Sequence, residues 1–541
     1  MFPITSGRPA TMAPRGMVTS PHSLASAAGV DALRAGGSAV DAAIATGAAL
    51  SVLYPHMTSV GGDAFWLVYD ARSRGVRYLS GGGRAARRAS IDWFRERGMT
   101  EVPLRGFLPA TLTTPGAVAS WCAAHDEYGR LPLARDLAAA IGYAHEGFPV
   151  SGRLERAIEL HAVDGSLNAS ALAIFCPGGA LPCAGAKLTN RGLARVLDRI
   201  AQGGREGFYA GETARSLAAF SRAGGGFFDE ADLAGQGAAW GEPLSGTYRG
   251  LEILETPPPT QGFTVIEMLN LIEPAEIARM DPLGPELAHL LVQAKQIAYH
   301  DRDRLLADPE FQPVPVEKLI SKGYAAERSR LMRSDRVLPW DLVPSYGTLA
   351  GDTVFVCAVD AEGNAAALIQ SLYFTFGSGV VAGETGIVLQ NRSAYFSLDP
   401  QHPNRLEPGK RPMHTLIASM ALKEGRLRHV LGCMGADGQP QIHLQSYVGL
   451  VDFGVDMQQA LEAPRWLSGR FNIGDPRDLL NMEGRYPEAT VRELERRGHA
   501  VNRWPDWCEL AGHAQGISVD PVSGMRIGGA DPRSDGAAIG H

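Results

Sequence analysis

Hydrophobic residues lie in stretches of helical length through most of the first 330 residues. The first such stretch ends at a glycine pair, a common helix stop, and residues 38–41 resemble a capping box. Between the early helices, the apolar run 64–69 predicts a buried strand, with residues 76–79 as its partner. Helices are predicted at residues 21–33, 41–52, 116–128, 133–145, 263–271 and 286–306.

The pattern changes at residue 353. Residues 334–352 form a loop-like stretch with several prolines, and two apolar runs, 353–360 and 365–371, then flank a short polar turn. This arrangement predicts a buried β-hairpin. Further strands are predicted at residues 386–389, 416–422 and 428–432, and helices at residues 441–448 and 488–497. The order of elements is mixed α/β.

Charge and composition exclude several classes of function. The 541 residues carry a net charge of -7 without a long block of one sign, which argues against a nucleic-acid or basic membrane-binding protein. No apolar run of about 20 residues and no signal-peptide pattern occurs, so we expect a cytoplasmic protein that does not contact the membrane. The scattered cysteines favour reduced thiols over disulfides.

General motifs point to neither a cofactor nor a metal. The glycine-rich stretch 432–436 could suggest a phosphate cradle, but it lacks both the GxxxxGK[ST] and the GxGxxG pattern. No glycine fingerprint follows a strand in a βαβ unit, which argues against a nucleotide-binding oxidoreductase. The histidines form neither HExxH nor a tight His/Cys cluster. A threonine that opens a strand, such as Thr353, is by itself ordinary.

One long segment nevertheless resembles a known family. Residues 351–364, Gly-Asp-Thr-Val-Phe-Val-Cys-Ala-Val-Asp-Ala-Glu-Gly-Asn, are similar to the autocleavage site of the γ-glutamyltranspeptidases. Further motifs that resemble the family follow this segment at the family's spacing, and others precede it. The likeness covers nearly the whole chain. They lie at residues 33–43, 59–63, 114–116, 128–132, 207–209, 257–262, 299–302, 370–372, 376–379, 381–387 and 408–412.

The resemblance implies self-cleavage between Asp352 and Thr353. An N-terminal Thr carries its own base, an α-amine with a pKa of about 7.7–8.0, and this amine exists only after the cut. A large segment 1–352 and a small segment 353–541 would then form one body. Its implied fold is the α/β Ntn-hydrolase sandwich of four αββα layers, with two stacked sheets between helices.

The resemblance also assigns roles to four further residues. Ser371 aligns with a hydroxyl that steadies the nucleophile, although alone it could be an ordinary strand serine. The amides of Gly435 and Ala436 are candidates for the oxyanion hole. Alanine at the second position resists a positive φ, and the family carries glycine there. Arg84 aligns with the arginine that binds the substrate carboxylate, while a salt-bridging surface arginine is the simpler alternative.

The substrate pocket departs from the family at five positions. The family holds the substrate's α-ammonium with an acid and amide side chains, and the corresponding positions here carry Tyr373, Arg392 and Tyr395. His414 and Thr415 replace a common Ser-Ser pair. These changes favour a carboxylated acyl group without an α-amine, as in the acylase-like and oxamate-amidohydrolase-like branch.

We therefore expect an amide hydrolase, with acyl transfer to amines as an additional activity. Its partners would be a small amide substrate and its own two segments, with a homodimer of the processed pair as an option. A genuine γ-glutamyltranspeptidase is the alternative enzyme. An uncleaved binding protein on the same fold is the alternative from a different class.

Overall fold

The helices and strands are described by a computed structural model that covers residues 7–105, 108–340, 351–471 and 475–541. The strands are β1 Thr11–Ala13, β2 Met17–Ser20, β3 Asp63–Asp70, β4 Gly75–Gly81, β5 Phe148–Pro149, β6 Lys187–Leu188, β7 Ala239–Gly241, β8 Leu244–Tyr248, β9 Leu251–Glu255, β10 Asp352–Val359, β11 Ala365–Tyr373, β12 Ser419–Lys423, β13 Arg426–Cys433, β14 Trp466–Ser468, β15 Leu479–Glu483, β16 Ala500–Trp504, β17 Ala514–Val519, β18 Arg526–Ala530 and β19 Ala537–Gly540. The helices are α1 Ser23–Arg34, α2 Ala39–Leu53, α3 Ile91–Arg95, α4 Ala117–Tyr128, α5 Leu133–Glu146, α6 Gly152–Val163, α7 Ala169–Phe175, α8 Arg191–Gly203, α9 Glu206–Tyr209, α10 Gly211–Ala223, α11 Glu230–Gly235, α12 Phe263–Ile272, α13 Pro285–Leu305, α14 Val316–Leu319, α15 Lys322–Arg328, α16 Gln439–Tyr447, α17 Met457–Glu462 and α18 Glu488–Arg496.

Two seven-stranded sheets form the centre of the part of the chain that the structure describes. Sheet I has the strand order β19-β2-β10-β11-β3-β4-β7, and sheet II has the order β1-β18-β17-β13-β12-β9-β8. Every pair of neighbours within these two sheets is antiparallel. Each sheet combines strands from the beginning and the end of the chain.

Strand β10 shows how the layers arise from the sequence. Because side chains alternate between the faces of a strand, Val354 and Val356 pack into the cluster that contains helices α1, α2 and α4. Phe355 and Cys357 point the other way and pack with Met420 and other residues of sheet II. A third cluster covers the outer face of sheet II with helices α12, α13 and α16. The result is the expected four-layer αββα sandwich.

Most predicted elements are confirmed. The predicted hairpin forms β10 and β11, and their pairing runs through seven described residue pairs. The capping box at the start of α2 is present, since Ser38 accepts from Asp41 N and the Asp41 carboxylate accepts from Ser38 N. The predicted helices begin and end within about two residues of the observed ones.

Two strand predictions were wrong or displaced. Residues 386–389 form no strand, because Gly386 is left-handed, at φ 70°, and only Val388 makes an isolated bridge, to Val381. The strand predicted at 416–422 begins later and is β12. Most of the predicted loop 334–352 falls at 341–350, outside the described residues, and Asp352 already belongs to β10. Among the residues described, no helix combines the length and hydrophobicity that a membrane crossing requires.

Candidate active site

Thr353 lies at an irregular point of β10. The register against β11 shifts between Asp352 and Val354, so that Thr353 alone lies opposite two residues of β11, Ser371 and Leu372, in a β-bulge of β11. Bulges beside active sites redirect a side chain out of the regular ladder. The Thr353 side chain is buried, and its hydroxyl donates to Ser371 Oγ over 3.1 Å. The predicted nucleophile and its predicted partner therefore meet at this irregular point of the sheet.

Ser371 connects the nucleophile to the bond that it would attack. Its Oγ accepts from Thr353 Oγ1 at 3.1 Å, Tyr373 N at 2.7 Å and Arg392 Nη2 at 3.0 Å. It donates to the carbonyl oxygen of Asp352 at 2.7 Å. A hydroxyl has two lone pairs, so three donors exceed what it accepts. Thr353 makes the longest of these contacts, and its hydroxyl is therefore the least firmly held.

Arg392 is a buried cation beside this group. Its guanidinium stacks on Tyr373 and Tyr395, with its centre 4.8 and 5.6 Å from the two ring centroids. Nη1 donates to Thr415 Oγ1 over 3.0 Å. Within the described residues, no carboxylate oxygen lies within 4.0 Å of the Arg392 guanidinium nitrogens. Burial lowers the pKa of Arg392. The predicted pocket residues are thus assembled around an unpaired charge.

The oxyanion-hole candidates lie in a tight loop after β13. Gly435 has φ 142° and Ala436 has φ 45°, so the alanine does adopt the left-handed conformation that the sequence disfavours. Neither backbone N–H donates a hydrogen bond to any described residue. A Cβ added to Gly351 would lie 2.7 Å from the Ala436 Cβ, which places the loop against the chain just before Asp352. Two free donors therefore lie close to the predicted cut.

Sequence analysis missed a polar network behind the pocket. Tyr395 Oη donates to Asp437 Oδ2 over 2.9 Å, and Arg302 pairs with the other oxygen of Asp437. Arg302 also donates to Gln261 Oε1 over 2.7 Å, and Gln261 Nε2 donates to the Thr415 carbonyl over 2.9 Å. The network fixes Tyr395 and Thr415, which contact Arg392.

The sequence contained one signal for this network. Gln261 and Arg302 lie in two of the segments that resemble the family, residues 257–262 and 299–302, and both side chains are buried. Asp437 directly follows the oxyanion-loop candidates. Charged and amide side chains in such segments indicate buried polar contacts, but nothing in the spacing shows that they meet.

The buried imidazole of His414 is uncharged near pH 7. Its Nε2 lies 3.1 Å from Asp63 Oδ2, without hydrogen-bond geometry, and its ring packs edge-on against Phe65. Burial, reinforced by Arg392, lowers the pKa of His414 to about 4. The other oxygen, Asp63 Oδ1, accepts from Gly83 N over 2.8 Å, so Asp63 lies between His414 and the loop before Arg84. His414 therefore adds no positive charge to the pocket near pH 7.

Arg84 is not part of this assembly. Its guanidinium pairs with Glu310 at 2.9 Å and donates to the Gly409 carbonyl at 3.0 Å, and its side chain is 38% exposed. It makes no hydrogen bond or ion pair with Thr353 or Arg392. These contacts are those of a salt-bridging arginine, and the carboxylate-binding role of Arg84 stays a prediction.

The carboxyl group of Asp352 is also unusual. It accepts a hydrogen bond from Thr375 Oγ1, and no cation pairs with it among the described residues. Burial raises the pKa of Asp352 to about 7, and Glu509 adds to the effect. Together with Gly351, Asp352 lines a cavity of about 270 Å³ that opens at the predicted cut.

One group of described residues has the spacing of metal ligands, and it lies on helices α2, α4 and α5. His125 Nε2 is 4.0 Å from Asp41 Oδ1 and 3.8 Å from Asp136 Oδ2. The same nitrogen is 2.7 Å from the Leu131 carbonyl and is best assigned as a donor to it. Burial and Asp41 raise the pKa of Asp136 to about 9. Protonation of Asp136 would remove one negative charge from this cluster.

Comparison with known proteins identifies the family. The family model described as Gamma-glutamyltranspeptidase matches residues 25–541. The chain is 40% identical to the glutathione hydrolase-like YwrD proenzyme of Bacillus subtilis, over 97% of this chain and 98% of that protein. It is 36% identical to the oxamate amidohydrolase proenzyme of Klebsiella pneumoniae, over 97% and 98%. A cephalosporin acylase structure from Bacillus halodurans superposes with a TM-score of 0.90 at 35% identity, covering 100% of this chain and 98% of that one. The chain therefore belongs to the γ-glutamyltranspeptidase family.

Proposed function

We propose that the chain is a proenzyme that cuts itself between Asp352 and Thr353. The Thr353 hydroxyl attacks the Asp352 carbonyl carbon, while Ser371 donates to the carbonyl oxygen over 2.7 Å and stabilises its developing charge. The C–N bond breaks, the proton passes to the released amine, and an ester joins the two residues. Water then hydrolyses the ester to a carboxyl group on Asp352 and the free Thr353 hydroxyl.

The same hydroxyl then acts on substrates. The new α-amine of Thr353 takes the hydroxyl proton as Oγ attacks the substrate amide, and the oxyanion accepts from the free N–H groups of Gly435 and Ala436. Collapse expels the amine half of the substrate, which takes the proton back. Water resolves the acyl-enzyme in hydrolysis, and an amine resolves it in transfer. Self-cleavage and turnover thus depend on one oxygen.

The unpaired guanidinium of Arg392 is the observation that carries the choice of substrate. A buried charge without a partner is costly, by several kcal/mol, and a carboxylate on the ligand would compensate it. Arg392 Nη2 is 3.0 Å from Ser371 Oγ, so this carboxylate would be a short distance from the reacting carbon. An α-ammonium in the same place would be repelled. The substrate is therefore an amide of a small carboxylated acyl group, such as oxamate or a dicarboxylic monoamide.

Two assays separate this proposal from its alternatives. Purified protein is supplied in parallel with oxamate and with a γ-glutamyl anilide, and kcat/KM is compared. We expect faster turnover of oxamate; faster turnover of the γ-glutamyl anilide would favour a genuine γ-glutamyltranspeptidase. A denaturing gel of the same sample tests the non-catalytic alternative, since a binding protein would persist as one band.

A further inference from the structure

Helices α6 and α7 and the loop after them carry an uncharged, apolar surface. No acidic, basic or histidine residue occurs between Asp164 and Lys187. Three large hydrophobic side chains of this surface are exposed, Leu160 to 61%, Val163 to 77% and Leu181 to 49%. Val163 and Leu181 also line a groove of about 470 Å³, and every described residue that lines it is uncharged. Monomeric proteins rarely leave a contiguous patch of this kind exposed, so the surface is a candidate interface.

The outward ridge of helix α6 is positive at one end, apolar in the middle and negative at the other. Arg156, Leu160 and Val163 follow one another at helical spacing, and Asp164 is the residue at which the helix ends. The Arg156 side chain is 64% exposed and the Asp164 side chain is 43% exposed. Glu159 is exposed as well, but it lies about 100° around the helix from Leu160, outside the ridge.

Neither charged end of the ridge has a strong partner within the chain. Arg156 Nη2 lies 3.7 Å from Glu509, a carboxylate that Arg153 already holds at 2.7 Å. Asp164 Oδ2 lies 3.0 Å from His161 Nδ1, and burial lowers the pKa of that imidazole, so the ring does not compensate the Asp164 charge near pH 7. Exposed ion pairs are worth less than about 1 kcal/mol, so both charges stay available to a partner.

A two-fold axis at Leu160 makes this ridge complementary to itself. In an antiparallel pair of α6 helices, residues at equal distances before and after the axis face each other. Arg156 then faces the partner's Asp164 at both ends, and Val163 faces the partner's Ala157, which is small. A parallel pair would instead bring each Arg156 against its own copy. The charges therefore favour a second copy of this chain, in the antiparallel orientation.

The surface also has the size of a dimer interface. More than 20 of residues 156–185 are at least partly exposed, and a standard interface uses about 20–30 residues on each side. We propose that the chain forms a two-fold symmetric homodimer through this surface, with the α6 helices antiparallel about Leu160. Arg156 and Leu160 also line the cavity beside Asp352, so the partner's helix borders that cavity. The dimer does not depend on the proposed chemistry of Thr353.

Sedimentation velocity at several protein concentrations measures the dissociation constant of the purified chain. Val163→Glu places a carboxylate from each copy in the apolar centre, and Arg156→Asp sets acid against acid at both ends. Arg156→Asp combined with Asp164→Arg restores both pairs with exchanged signs. Val522→Glu is the matched control, because Val522 is 93% exposed and lies in the turn after β17. Circular dichroism verifies the fold of every variant.

We expect wild-type dimers at micromolar concentration. Val163→Glu and Arg156→Asp should each raise the dissociation constant about tenfold or more, while Val522→Glu leaves it unchanged and the double exchange brings it back to within about threefold of the wild type. A wild type that stays monomeric overturns the inference, and so does a dimer that Val163→Glu leaves intact. A folded double-exchange variant that stays monomeric overturns the antiparallel arrangement. A monomeric wild type that binds neutral phosphatidylcholine vesicles, when Val163→Glu does not, would assign the surface to lipid instead.

Discussion

Arg392 is the residue that most constrains the chemistry of the pocket. Its guanidinium bonds two hydroxyls and two aromatic faces, all of them neutral, and it is fully buried. Arg84, by contrast, already has a carboxylate partner in Glu310. The two arginines therefore make different predictions when the substrate carries a carboxylate.

Replacing Arg392 with Met should lower kcat/KM for the carboxylated amide by about 100-fold or more, since losing the partner of a buried charge typically costs about 3–5 kcal/mol. Arg84→Met is the matched control and should lower kcat/KM for the same amide less than tenfold. Kinetics are measured on the cleaved fraction of each preparation, because Arg392 also contacts Ser371. A larger loss in Arg84→Met would return the carboxylate-binding role to Arg84.

Ala436 carries a second prediction at this scale. A non-glycine residue at φ 45° is strained by roughly 1 kcal/mol or more. Ala436→Gly should raise the thermal midpoint and keep turnover within about threefold, because the backbone N–H remains. Ala436→Val should lower both, since a branched side chain resists this φ. Thermal unfolding and turnover of the two variants check this, and a stabilised Val variant would refute it.

At the scale of elements, apolar runs predicted which residues are buried better than they predicted which residues pair in a sheet. The hairpin β10–β11 was predictable because both strands are apolar and a turn joins them. The apolar residues 386–389 are buried too, yet they form one bridge only. The bulge of β11 opposite Thr353 could not be predicted, since it depends on the register between two strands and not on residue type.

Helix α5 carries a buried acid whose protonation stabilises the fold. Both oxygens of Asp136 lack hydrogen-bond partners, and Asp41, His125 and Arg135 are the titratable groups around it. Because its pKa in the folded chain is about 9 and its unfolded value is about 3.9, the folded chain holds the proton more tightly. The contribution to stability is full below about pH 4 and is lost progressively toward pH 9.

Asp136→Asn should therefore raise the thermal midpoint, by an increment that grows between pH 5 and pH 9. The neutral amide keeps the shape of the protonated acid without its tendency to ionise on unfolding. Asp126→Asn on helix α4 is the control, because Asp126 is exposed and should show no such trend. Thermal scans of both variants at several pH values measure the change in thermal midpoint. A change for Asp136→Asn that does not depend on pH would refute this account of Asp136.

For the whole molecule, the sequence predicted the four layers through its family resemblance, while the contacts between distant segments emerged only from the structure. Arg302 bonds both Gln261 and Asp437, although 41 residues separate it from the first along the chain and 135 from the second. Local sequence patterns do not show which distant residues come into contact. The contacts that Arg392 makes were not predictable for the same reason.

The mixing of strands predicts how the two halves behave after the proposed cut. In sheet I, β10 lies between β2 and β11, and in sheet II, β12 lies between β9 and β13, so each sheet crosses the proposed boundary. The cleaved halves should co-elute in gel filtration under native conditions and separate only in denaturant. Separate native peaks would contradict this.

The central claim is that the Thr353 oxygen performs both self-cleavage and turnover. Intact mass spectrometry of the wild type and of Thr353→Ala tests it most directly. We predict two fragments from the wild type, the smaller beginning at Thr353, and one inactive, uncut chain from the variant. An uncut and active wild type, or a Thr353→Ala chain that is still cut before residue 353, would contradict the account.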